Sequence, residues 1–204
     1  MASFYPPFQP TLHVIPSTPP IEPKLYLDSN IILDVILKRN NSSINFMERI
    51  ESEHWKCITS RFAFLEIIDI LHEKYYIDNL LAEGQPLSQV IRVMGNRNQK
   101  AHALPSRDLE KTRTLLSSYD QTLFSFISFQ FPIDETFWNK VESLVDKTPL
   151  SVADAMHLAF AKVSDCNILI SRDKAFCEIA NEEIIAVHPA SIDEALEKLN
   201  GIVS

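Results

Sequence analysis

Five short apolar runs, each followed by residues with helical periodicity, constrain this chain more than any other feature. They cover residues 24–28, 55–59, 123–131, 167–171 and 184–187. Strands separated by whole helices cannot pair as tight hairpins, so the alternation predicts a parallel sheet covered by helices on both faces. Asn30 can cap a helix through Ile31, Ile32, Val35 and Ile36, and a second starts near Ser42 with Ile44, Met47 and Ile50. A third begins near Ser60, buries Phe62, Leu65, Ile68, Ile70 and Leu71, and continues to about Leu81. Residues 84–106 lose this periodicity, and Gly84, Pro86, Gly95 and Pro105 mark loops there. Helices are expected again over 107–118, 134–145, 152–163, 173–179 and 192–199, the second of these with Phe137, Val141, Leu144 and Val145 inward. Phe124, Phe126, Phe129 and Phe131 read as a buried third strand rather than as a platform for stacking bases.

Composition removes several function classes. Only three glycines occur, Gly84, Gly95 and Gly201, and none lies in a glycine-rich phosphate loop. Ordinary dinucleotide and P-loop readings therefore fail. Cys57, Cys166 and Cys177 are too few and too scattered for a disulfide scaffold or a thiolate zinc site, and they fit a reducing compartment. A net charge of -8 argues against a wholly basic nucleic-acid clamp. It leaves room for a nuclease whose carboxylates hold cations. No apolar run reaches 18 residues and no leader of signal type is visible, so the expectation is a cytoplasmic protein without a membrane partner. Seven of the twelve prolines fall within residues 1–23, which read as an extended arm with Phe4, Tyr5 and Phe8 as apolar anchors.

Four acids stand where strands end or helices begin. Asp28 closes the first run, Glu66 lies on the helix after the second, Asp154 is in the first turn after Ser151, and Asp173 follows the fourth run by two residues. Open α/β sheets bind ligands beyond the carboxyl ends of their strands. Four carboxylates converging there repel unless cations join them, and hard oxygen ligands suit Mg2+ or Mn2+. Each acid also has a plain structural explanation. Asp28 can be an N-cap, Asp154 can complete a capping box with Ser151, Asp173 can be a turn residue, and Glu66 can be a solvated helix residue.

Four blocks resemble the PIN-domain family, including the toxin ribonucleases of bacterial toxin–antitoxin pairs. Leu25-Tyr26-Leu27-Asp28-Ser29-Asn30 is similar to the family's opening strand and acid. Thr59-Ser60 with Glu66 resembles its second motif, and Asp154-Ala155-Met156-His157-Leu158-Ala159 is the most specific match. Ile168-Leu169-Ile170-Ser171-Arg172-Asp173 resembles the fourth block, with Ser171 where threonine is common. The resemblance spans roughly residues 24–188. It implies an α/β fold, a three-layer sandwich with a central, mostly parallel sheet flanked by helices. One nuclease domain would fill residues 24–204 behind the arm at 1–23, with an enlarged helical and loop region at about 74–115. It also implies a metal-dependent ribonuclease with Asp28, Glu66, Asp154 and Asp173 as catalytic quartet and Mg2+ or Mn2+ ligands. RNA as substrate, an antitoxin partner and a homodimer follow by the same analogy.

In that reading Asp28, Asp154 and Asp173 do most of the metal binding, and Glu66 completes the site or orients a water. Asn30 either bonds a carboxylate or caps its helix. Ser60 either touches phosphate or serves only as an N-cap. Ser171 and Arg172 support the fourth block. His157 reads as an uncharged, hydrogen-bonded residue packed behind the site rather than as a base. Arg61, Arg172 and Lys174 are candidate phosphate contacts, Arg172 the more so because it directly precedes Asp173, and the basic stretch Arg92, Arg97, Lys100, Arg107, Lys111 and Arg113 is a candidate nucleic-acid contact, set against a plain solvated, charged face. The competing function is a noncatalytic PIN-like module that binds nucleic acid or protein. A phosphatase fits less well, because Asn30 stands where the common aspartyl-phosphate motif has its second acid.

Overall fold

The computed structural model describes residues 21–95, 106–131 and 134–201. Its sheet has five parallel strands in the order β3-β2-β1-β4-β5, with β1 at Lys24–Leu27, β2 at Lys56–Ser60, β3 at Ile127–Gln130, β4 at Ile168–Ile170 and β5 at Ile185–Val187. β1 lies at the centre, with Tyr26 opposite Ile58 on one side and Leu169 on the other. Alternation along β1 sends its side chains to two cores. Leu25 and Leu27 join Ile168 and Ile170 beneath α1 (Ser29–Ile36), α2 (Asn41–Glu53), α3 (Arg61–Ala82) and α9 (Ile192–Leu199). Tyr26, Ile58 and Leu169 face α6 (Glu135–Lys147), α7 (Val152–Val163) and α8 (Lys174–Ala180). Two helical layers around one sheet give the expected sandwich.

Where sequence and structure differ, the cause is physical. Residues 84–106, expected as loop, contain the helix α4 (Leu87–Gly95). Gly84 (φ 75°) ends α3, and the Pro86 carbonyl accepts from Gln89 and Val90 to start α4. Residues 96–105 lie outside the described residues. The expected strand at 123–131 is a 3-10 turn at Leu123–Ser125 followed by β3 alone, and β3 is an edge strand. Phe64, Phe124 and Phe129 meet edge to face, so these aromatics form a cluster rather than one extended run. Phe131 is exposed. On α3 the buried stripe is Ala63, Ile67 and Leu71, which turns Leu65 outward at 61% exposure. Val145 on α6 is likewise exposed rather than inward.

The C-terminal half of α3, α4 and α5 (Ser106–Ser117) occupy the described part of the enlarged region. Of the proline-rich arm, residues 1–20 lie outside the described residues, and Ile21 N–H donates to Asn200 Oδ1 at 2.8 Å. No described helix is long and apolar enough to cross a membrane.

Candidate active site

Asp28 directly follows β1, and its N–H still donates to the Ile170 carbonyl at 3.0 Å. It holds the N-cap position of α1 but makes no side-chain capping bond, and of that helix's amides only the adjacent Ser29 N–H acts on its carboxylate. Asn30 Nδ2 donates to its Oδ2 at 2.6 Å, Ser171 Oγ to the same oxygen at 2.5 Å, and Ser29 Oγ to Oδ1 at 3.4 Å. Capping therefore does not explain Asp28, which is buried at 6% exposure. Asn30 does not cap the helix either: its amide bonds Asp28, and its Oδ1 accepts from Arg172 N–H at 3.2 Å. Ser171 Oγ is a junction, donating to Asp28 while it accepts from Asn30 Nδ2 and from Asp173 N–H, each at 3.0 Å.

Glu66, on the second turn of α3, reaches toward the same place. Its Oε2 lies 2.8 Å from Nε2 of His157, which α7 presents fully buried. That nitrogen is 3.8 Å from Asp28 Oδ1, and Nδ1 is 2.6 Å from the Tyr26 hydroxyl. One ligand atom each from Asp28, Glu66 and His157 all lie within 4.8 Å of one another, close enough to share a cation.

The two carboxylates respond differently to burial. Desolvation pushes the Asp28 carboxyl above its ordinary range, and the nearby charge of Glu66 adds to it, against the opposing pull of His157 and Ser171. Burial also acts on Glu66, but its direct bond with His157 wins and holds it below the ordinary range. For His157 burial alone would favour the neutral ring. The bond to Glu66 and the charges of Asp28, Glu66 and Asp154 outweigh it, so its pKa is raised. His157 thus links Glu66 through Nε2 to the Tyr26 hydroxyl through Nδ1, and that hydroxyl donates to Ser60 Oγ at 3.3 Å. Desolvation raises the Tyr26 pKa, which keeps that hydroxyl protonated as a donor.

Asp154 and Asp173 stand outside this group of three. Ser151 Oγ donates to Asp154 Oδ2 at 2.6 Å and accepts from Asp154 N–H at 3.1 Å, a closed capping arrangement. Asp173 caps α8 by accepting from Phe176 N–H at 3.0 Å. Both remain near the group electrostatically. Asp154 acts on His157, and Asp28 and Asp173 both act on Cys177. Ser60 caps α3 by accepting from Ala63 N–H at 2.9 Å.

The candidate cations divide by position. Arg61 is exposed at the start of α3, and Lys174 is exposed with Glu178 at 3.6 Å. Arg92 is exposed on α4 and Arg107 on α5. Lys111 is tied to the buried Asp108 at 2.9 Å and Arg113 to Glu110 at 3.4 Å. Lys111 and Asn79 hold the Asp108 carboxyl below its usual range. Arg97 and Lys100 lie outside the described residues. Sequence reasoning overlooked the Tyr26 hydroxyl, although a lone polar tip in an otherwise apolar strand was its signal. It also overlooked Arg39, whose surroundings in the chain carry no signal at all.

The donor set fits a divalent cation. Two carboxylates face one another with only an imidazole between them, and one of them is buried and resists ionisation, a cost that a cation would remove. Oxygen ligands suit magnesium, and a nitrogen in the set also admits manganese.

Residues 25–182 match the family model described as PIN domain. A chain of the crystal structure of FitAcB from Neisseria gonorrhoeae shares the fold, with a TM-score of 0.50 at 14% identity over 81% of this chain and 97% of that one. No curated protein sequence matches this chain.

Proposed function

Because this chain belongs to the PIN-domain family, a family of nucleases, we propose that it is a metal-dependent endoribonuclease, toxin-like in kind, that hydrolyses RNA phosphodiester bonds. The observation that carries the reading is the buried Asp28 carboxylate, braced by Asn30 and Ser171 and facing Glu66 across His157. Because Asp28 makes no side-chain capping bond, the helix start does not account for its burial.

Asp28 and Glu66 would hold Mg2+ or Mn2+, with Asp154 and Asp173 joining from the neighbouring helix starts. A bound cation of this kind neutralises phosphate charge and lowers the pKa of a bound water. Asn30 and Ser171 fix the Asp28 carboxylate by donating to Oδ2, while Oδ1 takes the longer Ser29 bond and lies 3.8 Å from His157 Nε2. His157 holds Glu66 in place and takes its own orientation from Tyr26. Arg61, Arg92, Arg107, Lys111, Arg113 and Lys174 are proposed contacts to the RNA backbone. Residues 24–204 act as one nuclease domain in this reading, with the arm as an appendage. An antitoxin protein and a second copy of the chain are the proposed partners.

The noncatalytic alternative draws on a different observation: Asp154 and Asp173 already serve helix starts. One experiment separates the two. Labelled single-stranded RNA is incubated with the protein in magnesium, manganese or chelator, beside folded Asp28→Asn and Asp154→Asn variants. Cleavage that needs metal and is lost in both variants is the expected result. A folded, metal-loaded protein that leaves varied RNAs intact would sink the nuclease reading in favour of the binding module.

A further inference from the structure

We propose that Arg39 and Arg172, aligned by the buried carboxylate of Asp34, form a phosphate clamp that grips the nucleic-acid backbone beside the Asp28 group. The inference rests on the nuclease reading for its substrate class, but it concerns residues outside the acidic site.

Asp34 lies on the inner side of α1 with no exposed surface. Arg39 Nε donates to its Oδ1 at 2.6 Å, and Ser43 Oγ donates to its Oδ2 at 2.7 Å. Arg172 Nε sits 2.6 Å from the same Oδ2, as a charge contact without hydrogen-bond alignment, and that nitrogen has no better partner. One buried carboxylate thus faces two guanidinium groups. A single guanidinium would neutralise it, and the second leaves the unit with one surplus positive charge.

Both arginines spend only Nε on Asp34. Among the described residues neither guanidinium makes a further ion pair or side-chain hydrogen bond, and the two side chains remain 39% and 32% exposed. Their Nη nitrogens therefore offer planar pairs of donors outward, the geometry that matches phosphate oxygens. Alignment by a buried anion removes part of the ordering cost that a free surface arginine carries on binding.

Backbone structure places the unit next to the acids. Lys38 takes a left-handed conformation (φ 51°) at the end of α1 and turns the chain back, so that Arg39 N–H donates to the Asp34 carbonyl at 3.0 Å. Arg172 lies between Ser171, which bonds Asp28, and Asp173, and its own N–H donates to Asn30, which bonds Asp28 as well. A strand whose scissile phosphate lay at Asp28 would bring an adjacent phosphate to the arginines. In an acidic chain, such a local surplus of positive charge offsets the repulsion that the carboxylates exert on a polyanion.

The test measures binding of fluorescent single-stranded RNA and DNA oligonucleotides in chelator, across salt concentrations, with cleavage in manganese assayed separately. Arg39→Gln and Arg172→Gln are compared with Arg39→Lys and with Arg49→Gln, a control on α2 where Arg49 stacks over Trp55 and pairs with Glu53 and Asp193. The clamp predicts that either glutamine variant binds both oligonucleotides roughly fivefold or more weakly and loses about 0.7 from the salt slope. Arg39→Lys should keep the slope and lose part of the affinity, and Arg49→Gln should match wild type. Glutamine variants that bind with wild-type affinity and slope overturn the clamp, whether or not their melting temperature falls, and leave the nuclease reading standing if wild type cleaves. A wild type that binds but never cleaves, with the arginines still mattering, keeps the clamp and rejects the nuclease. Wild type that neither binds nor cleaves overturns both.

Discussion

Asp28 is costly to the folded protein as long as nothing cationic sits beside it. Its carboxyl lies above the ordinary range because burial disfavours the charge, and His157, which pulls the other way, is 3.8 Å away and bound more tightly to Glu66. An acid whose folded pKa exceeds its unfolded value opposes folding at any pH above both, since ionising it is harder in the fold. Asp28→Asn removes that charge and keeps an oxygen able to accept from Asn30 and Ser171. In chelator at neutral pH this variant should therefore melt above wild type by roughly 2–4 °C, equivalent to about 1 kcal/mol for a chain of this size. Adding manganese should raise the wild-type melting temperature and leave the variant nearly unmoved. Calorimetry of both proteins with and without metal checks this, and a variant less stable than wild type in chelator would show that His157 already compensates Asp28 fully. The company His157 keeps was not legible in the sequence. Spacing put it one turn from Asp154, but the Glu66 and Asp28 carboxylates that act on it come from α3 and from the end of β1, far away in the chain.

At the scale of elements, helix starts and site acids coincide. α7 and α8 were legible to within a residue or two because Ser151 and Asp173 are good caps ahead of apolar periodicity. The same chemistry made the acids ambiguous, since a carboxylate at a helix start serves capping and metal binding alike. Substitution separates the roles. Asparagine caps as well as aspartate, so Asp173→Asn should keep the α8 cap and the melting temperature, whereas Asp173→Ala should lose about 1 kcal/mol. Both should lose cleavage if the carboxylate carries chemistry, and an Asp173→Asn protein that cleaves like wild type would confine Asp173 to its cap. α4 escaped sequence reading for a related reason. Gly84 and Pro86 punctuate two helices there, and punctuation alone does not tell a loop from a junction.

Across the whole molecule, apolar surface remains near the candidate site. Leu65, Phe131 and Trp138 are each about half exposed and line one groove with Phe137 and Met156. A monomer rarely leaves such residues together in water, which supports the proposed second copy. Trp138→Glu should then shift the protein from dimer to monomer in light scattering after size-exclusion chromatography. Wild type that elutes as a monomer at high concentration would reject the homodimer. The parallel sheet covered by helices on both faces was legible, because five apolar runs with helices between them allow few topologies. The edge position of β3 was not, since its aromatics look alike whether they face a sheet or one another.

The central place of β1 also sets a timetable. Asp28 and Ser171 are 143 residues apart in the chain, and β1 meets β4 only after everything between them has been made. During synthesis the first strand and its acid emerge well before their bracing hydroxyl. Long-range parallel pairing of this kind is slow to form. The growing polypeptide therefore carries Asp28, Glu66 and His157 for a time without the Ser171 brace, and the complete arrangement waits for β4 to be made and paired.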